Sequence, residues 1–158
     1  TMCRNVPLVI RIIGGILVDK YTAKEWRDFR DDKFASLSLY GGRILDTLKL
    51  SYDDLDPYLK LCFRFSSLFP KSRVLGEDKL IRELIALGYV QKEYKNQSLM
   101  DAGKACVLIL LKRGLLSDRF NNGFLEMHDL IRDLAVSIAG FEFKMVRSKS
   151  DEIDERVR

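Results

Sequence analysis

A single histidine, three cysteines and three prolines in 158 residues exclude several chemistries before any pattern is read. One imidazole cannot build a multi-histidine metal site, and no cysteine lies near it in sequence to form a nucleophile pair. There is no Gly-rich phosphate loop ending in Gly-Lys-Ser/Thr and no carboxylate-rich metal run, so neither a catalytic residue nor a metal ligand is expected in this segment. Charge of one sign is also missing. The 27 basic and 23 acidic residues are interspersed and leave a net charge of +4, too mild and too mixed for a nucleic-acid footprint. Cys3, Cys62 and Cys106 are odd in number and far apart in sequence, the last two in apolar neighbourhoods. They read as reduced structural thiols of a cytoplasmic or nuclear protein, and not as a disulfide framework or zinc site. The apolar run 6–18 is only thirteen residues long and has Arg11 in its middle, too short to span a bilayer, which takes about 20 residues. No membrane span is expected.

What is present is enough for a core. With 47% apolar and 32% charged residues, the chain is globular and long enough for one ordinary domain or two small ones. It opens on Thr1 inside an apparent structured element, which reads as a piece of a longer protein.

The segment 124–139 organises the second half. Phe124, Leu125 and Met127 form a strand-like run directly after the turn triplet Asn121-Asn122-Gly123. Leu130, Ile131, Leu134, Ala135 and Ile138 then recur every three or four residues, the apolar stripe of a helix. The changeover falls on Met127-His128-Asp129, so the lone histidine stands at a helix start, where unpaired N–H groups and the positive dipole end suit an anion. Asp129 is expected to cap the exposed N–H groups there and to orient His128.

Four amphipathic helices are predicted ahead of it. The first covers 6–20, with Pro7 in its first turn and Leu8, Ile12, Ile13, Ile16 and Leu17 on the apolar face. The second runs from Thr22 to about Leu37, capped by Thr22 and Glu25, with Trp26, Phe29 and Phe34 as aromatic contacts. The third, 43–52, carries Ile44, Leu45, Leu48 and Tyr52 inward. The fourth follows the turn 53–57 with Leu59, Cys62 and Phe63. Beyond a short polar connection, 71–76, a helix over 77–87 stops at Gly88. Another runs from the cap Ser98 to Gly114, and 115–119, 120–123 and 124–127 read as strand, turn and strand. Helix, helix, hairpin, helix is the winged-helix plan. The fold class expected is therefore mainly α: a four-helix bundle followed by a winged-helix domain with one β-hairpin, divided 1–70 and 71–140, with a charged extension over 141–158.

A winged helix raises DNA binding, but the helix in the reading position is apolar almost all round at 107–111, leaving Lys104, Lys112 and Arg113 to meet phosphate. Nucleic acid is not the expected partner.

Five blocks in order carry a resemblance. They are 3–15 with Pro7 and Gly14-Gly15; Leu48-Lys49-Leu50-Ser51-Tyr52-Asp53-Asp54-Leu55; Leu59-Lys60-Leu61-Cys62-Phe63 with Leu68-Phe69-Pro70; Leu80-Ile81 through Gly88-Tyr89-Val90; and Met127-His128-Asp129 with the helix behind it. Over residues 3–140 the chain resembles the two ARC subdomains of coiled-coil-type plant nucleotide-binding, leucine-rich-repeat (NB-ARC) disease-resistance proteins. The resemblance implies a regulatory switch module of an intracellular innate-immune receptor. In that family Pro7 packs on the nucleotide base and His128 reaches the β-phosphate of ADP, with Met127, His128 and Asp129 as the regulatory motif. ADP or ATP is then the cofactor of the parent, a slow ATPase, and this segment alone should hold it weakly, in the millimolar range. The implied partners are an upstream nucleotide-binding domain and downstream leucine-rich repeats of the same chain, and further copies of the parent on activation. Asn5 stands where the family has Gly, and Val9 where it has Ala. Tyr52, Phe63 and Phe69 are read as core aromatics. On fold alone, a free-standing winged-helix DNA-binding or protein-interaction module is the alternative.

Overall fold

The computed structural model describes residues 7–34, 44–68, 74–118 and 122–140. The first helix, α1, is Pro7–Leu17, with Pro7 at its first position, where a missing N–H costs nothing. Val9, Ile12, Ile13 and Ile16 bury its apolar face in two directions. Ile12 enters the main core, while Val9, Ile13 and Ile16 enclose Phe29 in a smaller cluster.

The second helix, α2, is Ala23–Asp28 and starts in a full capping box: the Glu25 N–H donates to Thr22 Oγ1 at 3.2 Å, and the Thr22 N–H to Glu25 Oε2 at 2.8 Å. Its turns widen into a π-helical stretch at Phe29–Phe34. The expected set of aromatic contacts is only partly realised. Phe29 is buried, but Trp26 is 49% exposed and its Nε1 donates to the Lys20 carbonyl, an indole lying on the surface. The Phe34 side chain and the expected helical end at 35–37 lie outside the described residues, as do Cys3, Asn5, Phe69 and the extension 141–158.

Helix α3 spans Ile44–Asp53 and α4 Pro57–Ser66. Leu48, Cys62 and Phe63 are fully buried, and the Tyr52 and Phe63 rings pack tilted with centroids 5.6 Å apart. Leu45, expected inward, is 45% exposed; the small residues Thr47 and Ser51 take the inner side of α3. There Ser51 meets the Arg113 carbonyl of the winged helix at 3.5 Å.

The second half begins with strand β1, Leu75–Gly76, followed by α5, Glu77–Ala86, and α6, Leu99–Lys112. Gly88 and Gly114, both at φ +72°, end α5 and α6 in the same way. The residue after each glycine donates back into the last turn, Tyr89 N–H to Leu84 O and Leu115 N–H to Leu110 O, both 2.9 Å. Ser98 caps α6 by accepting from the Asp101 N–H at 3.0 Å.

The hairpin is where the strand reading needs correction. Among the described residues its arms are tied by one antiparallel bridge, Ser117 with Glu126. The two-stranded sheet instead joins β2, Phe124–Leu125, to β1, Leu75 facing Leu125 and Gly76 facing Phe124. Part of the expected polar connection 71–76 is thus a strand. Helix α7 is Asp129–Ala139.

One continuous core runs through both halves. Ile12, Leu48, Leu59 and Phe63 from the bundle share a cluster with Leu80, Leu110, Leu125, Ile131 and Ala135 from the winged helix.

Candidate functional site

Helix α7 is held by its apolar stripe: Ile131, Leu134 and Ala135 are buried, and the helix packs against α3 and α4. That anchoring leaves its first residues at the surface. His128 is itself the N-cap, in extended backbone at φ −60°, ψ 140°. Its Nδ1 accepts the Leu130 N–H at 3.2 Å, and its carbonyl accepts the Arg132 N–H at 2.9 Å. The capping role expected of Asp129 therefore belongs to His128, and Asp129 occupies the first helical position, exposed. There its carboxylate complements the helix dipole.

The cap has a chemical consequence. An imidazole nitrogen that accepts a hydrogen bond carries no proton, so a neutral His128 is protonated on Nε2. The exposed ring presents that N–H outward from the positive end of an eleven-residue helix. Met127 is half-buried and packs against the main core, which fixes the chain direction into the cap.

Pro7 is exposed at the start of α1. Among the described residues no hydrogen bond joins Pro7 to His128, and neither belongs to a core cluster. Their neighbours are related: Leu8 beside Pro7, and Met127 and Leu130 on either side of His128 and Asp129, all pack against the same core. Both α1 and α7 lie on α3.

The helix in the DNA-reading position is more specialised than its sequence suggests. Lys104 and Lys112 are exposed, but Arg113 is 8% exposed and ion-paired to Asp54 at 2.6 Å and Asp19 at 3.0 Å. It clamps the winged helix to the bundle. Ser51 Oγ donates to the Arg113 carbonyl at 3.5 Å, and Arg11 Nη2 to the Gly114 carbonyl at 2.7 Å. Val107 and Leu110 are fully buried, whereas Leu108, within the run expected to be buried nearly all round, is 51% exposed.

Two features were not anticipated from the sequence. One is a cavity of about 380 Å³ between the start of α4, residues 91–97 and α6. The other is that Cys62 and Cys106, distant in sequence, lie on the two contacting helices α4 and α6, Cys62 buried and Cys106 half-buried. Among the described residues no three His, Cys, Asp or Glu side chains cluster to hold a metal, and no helix is long and apolar enough to cross a membrane.

Comparison with known proteins places the chain. Residues 68–135 match the family described as "Disease resistance protein Winged helix domain". The chain is similar to the disease resistance RPP13-like protein 4 of Arabidopsis thaliana, 31% identical over 149 residues, covering 88% of this chain and 17% of that protein. It is also similar to the disease resistance protein RGA2 of Solanum bulbocastanum, 34% identical over 137 residues, covering 85% of this chain and 14% of that protein. The chain spans about a sixth of the length of the curated relatives it matches, 16% to 17% of the first three. With a winged helix built on α5, α6 and α7 and these relatives matching most of its length, the chain belongs to the plant disease resistance proteins.

Proposed function

We propose that this segment is the regulatory switch module of an intracellular immune receptor, contributing contacts to ADP that hold the receptor closed and are released on activation. The observation that carries the reading is the N-cap geometry of His128: Nδ1 is engaged by the Leu130 N–H, so the exposed Nε2–H is the donor offered to an anion. A phosphate oxygen fits that donor and the dipole end behind it. Exposed Pro7 offers a flat apolar face for a nucleotide base. Bound nucleotide would supply the charge difference that distinguishes the closed from the open state. His128 would hold the phosphate, Asp129 would favour the helix end, and Met127 would anchor both to the core.

Most phosphate donors and the metal would come from an upstream nucleotide-binding domain of the same chain, with leucine-rich repeats downstream and assembly of the parent on activation. The segment itself then performs no catalysis, and any slow ATPase activity belongs to the parent in the cytoplasm or nucleus. Against a DNA-reading role stands Arg113, whose guanidinium is committed to Asp54 and Asp19.

The test uses a full-length receptor carrying this segment. His128→Asn keeps an oxygen able to cap α7 but removes the Nε2–H. Loss of a charge-assisted hydrogen bond of about 1.5–3 kcal/mol predicts about ten- to hundredfold weaker ADP retention and cell death in leaf tissue without a pathogen signal. A folded His128→Asn receptor that retains ADP normally and stays silent would refute the reading.

A further inference from the structure

Arg11 ties α1, which carries Pro7, to the chain segment that leads to His128. It lies one turn beyond Pro7, and its Nη2 donates to the Gly114 carbonyl at 2.7 Å and to the Leu116 carbonyl at 3.3 Å. Its stem crosses Gly114, where an added Cβ would stand 3.0 Å from Nε and 3.4 Å from Cγ. Gly114 and Leu116 are buried, so their carbonyls need a donor, and the end of α6 is the negative end of a helix dipole. One guanidinium answers both needs.

The contact continues along α1. Gly15, one turn on, is buried against the Lys112 carbonyl and the Arg113 Cα, and Asp19, just past the helix, pairs with Arg113 at 3.0 Å. Residues 11 and 15 share a face, and Pro7 stands one turn earlier on the same side. From Leu116 the contact also continues along the hairpin. Ser117 exchanges two backbone hydrogen bonds with Glu126, of 2.9 and 2.8 Å, and Glu126 is two residues from His128. A series of short covalent and hydrogen-bonded steps thus runs from Pro7 through Arg11 to His128.

We propose that Arg11 is a positioning residue for the nucleotide: it sets the register of α1 against the hairpin, so that Pro7 under a base and His128 on a phosphate serve one molecule. The inference rests on the reading of Pro7 and His128 as nucleotide contacts. Arg11 itself touches no nucleotide, because its donor nitrogen is committed to two carbonyls. Without that guanidinium, Ile12 and Ile16 still hold α1 in the core, but the end carrying Pro7 loses its polar tie to the hairpin. A ligand bridging both then gains one contact at the expense of the other.

The experiment measures ADP dissociation from the purified, ADP-loaded full-length receptor. Arg11→Met keeps the stem and removes the donors, and should speed ADP loss by about tenfold, within the range usual for coupled sites. Because one nitrogen makes both bonds, the ammonium of Arg11→Lys can replace it and should hold ADP to within about twofold of the unmodified receptor. Added to His128→Asn, Arg11→Met should change ADP loss by less than about twofold, since nothing remains to be aligned. A residue that only stabilises the fold would multiply the two effects. Gly15→Ala displaces the same face of α1 and should act like Arg11→Met, whereas Gly14→Ala, with nothing within 4 Å, should leave retention unchanged. This glycine pair decides if Arg11→Met does not accumulate. If Pro7→Ala and His128→Asn each speed ADP loss while Arg11→Met does not, or if its effect multiplies with that of His128→Asn, the positioning role is overturned and the nucleotide reading stands. Unchanged retention in both Pro7→Ala and His128→Asn overturns the nucleotide reading, and this inference with it.

Discussion

Replacing Arg113 by Met tests whether the bundle and the winged helix are joined by an internal ion pair as well as by a shared core. The Arg113 side chain is 10% exposed; its Nη1 donates to Asp54 at 2.6 Å, with the Asp54 side chain only 19% exposed. The second partner, Asp19, is 45% exposed. A pair open to solvent contributes at most about 1 kcal/mol, whereas cutting a largely buried pair costs about 3–5 kcal/mol because one charge is left in low dielectric. Met keeps the apolar stem of Arg113, so little packing is lost. The net expectation is a loss near 3 kcal/mol, a large share of the 5–15 kcal/mol typical of a domain. The buried Arg113 Nε has no hydrogen-bond partner, which already burdens the native pair. Arg113→Met with Asp54→Asn should therefore recover much of the loss, and a double-mutant cycle in urea should give a coupling of about 1–3 kcal/mol. A single-mutant loss below about 1 kcal/mol, or a double mutant no better than the sum of the singles, would refute the reasoning.

The neighbouring glycines give an opposite pair. A Cβ on Gly15 would lie 2.5 Å from the Lys112 carbonyl and 2.8 Å from the Arg113 Cα, whereas at Gly14 nothing lies within 4 Å. Gly15→Ala should cost about 1–3 kcal/mol by overpacking and Gly14→Ala should gain about 0.5–1 kcal/mol as a helix-interior change; thermal melts should move in opposite directions. In α6, Leu110 is fully buried and Leu108 is 51% exposed. Leu110→Ala should cost about 2–5 kcal/mol and Leu108→Ala less than about 1 kcal/mol, measured by chemical denaturation.

What was legible in the sequence was what local chemistry encodes. Gly88 and Gly114 end their helices, Ser98 and Thr22 start theirs, and the stripe from Ile131 to Ala135 is buried, because caps and periodicity act within a few residues. The missed features depend on partners far along the chain. Leu75–Gly76 is too short to look like a strand and becomes one only because Phe124–Leu125 lies beside it. Trp26 reads as core by type, yet its N–H finds the Lys20 carbonyl at the surface. Arg113 reads as a surface cation until Asp19 and Asp54 are brought to it. At the candidate site, a histidine at a helix start was legible, but its own ring as the cap was not. Histidine is uncommon there beside Ser, Thr, Asp and Asn, and Asp129 was the more obvious hydrogen-bond acceptor by type. The contact of α4, carrying Cys62, with α6, carrying Cys106, was not legible either, since nothing local aligns the two helices.

The same clamp bears on how the proposed switch moves. Parting the winged helix from the bundle would expose Ile12, Leu48 and Phe63 on one side and Leu80, Leu110 and Ile131 on the other, all fully buried in one core. Each such side chain is worth about 1.5–3 kcal/mol, so together they outweigh a single charged hydrogen bond of about 1.5–3 kcal/mol at His128. Loss of the nucleotide contact can therefore bias this joint only if other contacts of the full receptor already bring the open state near balance. Arg113→Met in the full-length receptor separates two geometries. If activation opens the joint between bundle and winged helix, the variant should raise cell death without elicitor while protein accumulates, and Asp54→Asn in the same chain should restore silence. If the two halves move as one body, the variant should lower abundance and leave activity per molecule unchanged. Cell death normalised to receptor abundance, with His128→Asn as the reference for release at the nucleotide contact, is the measurement; unchanged normalised activity would reject opening at this joint.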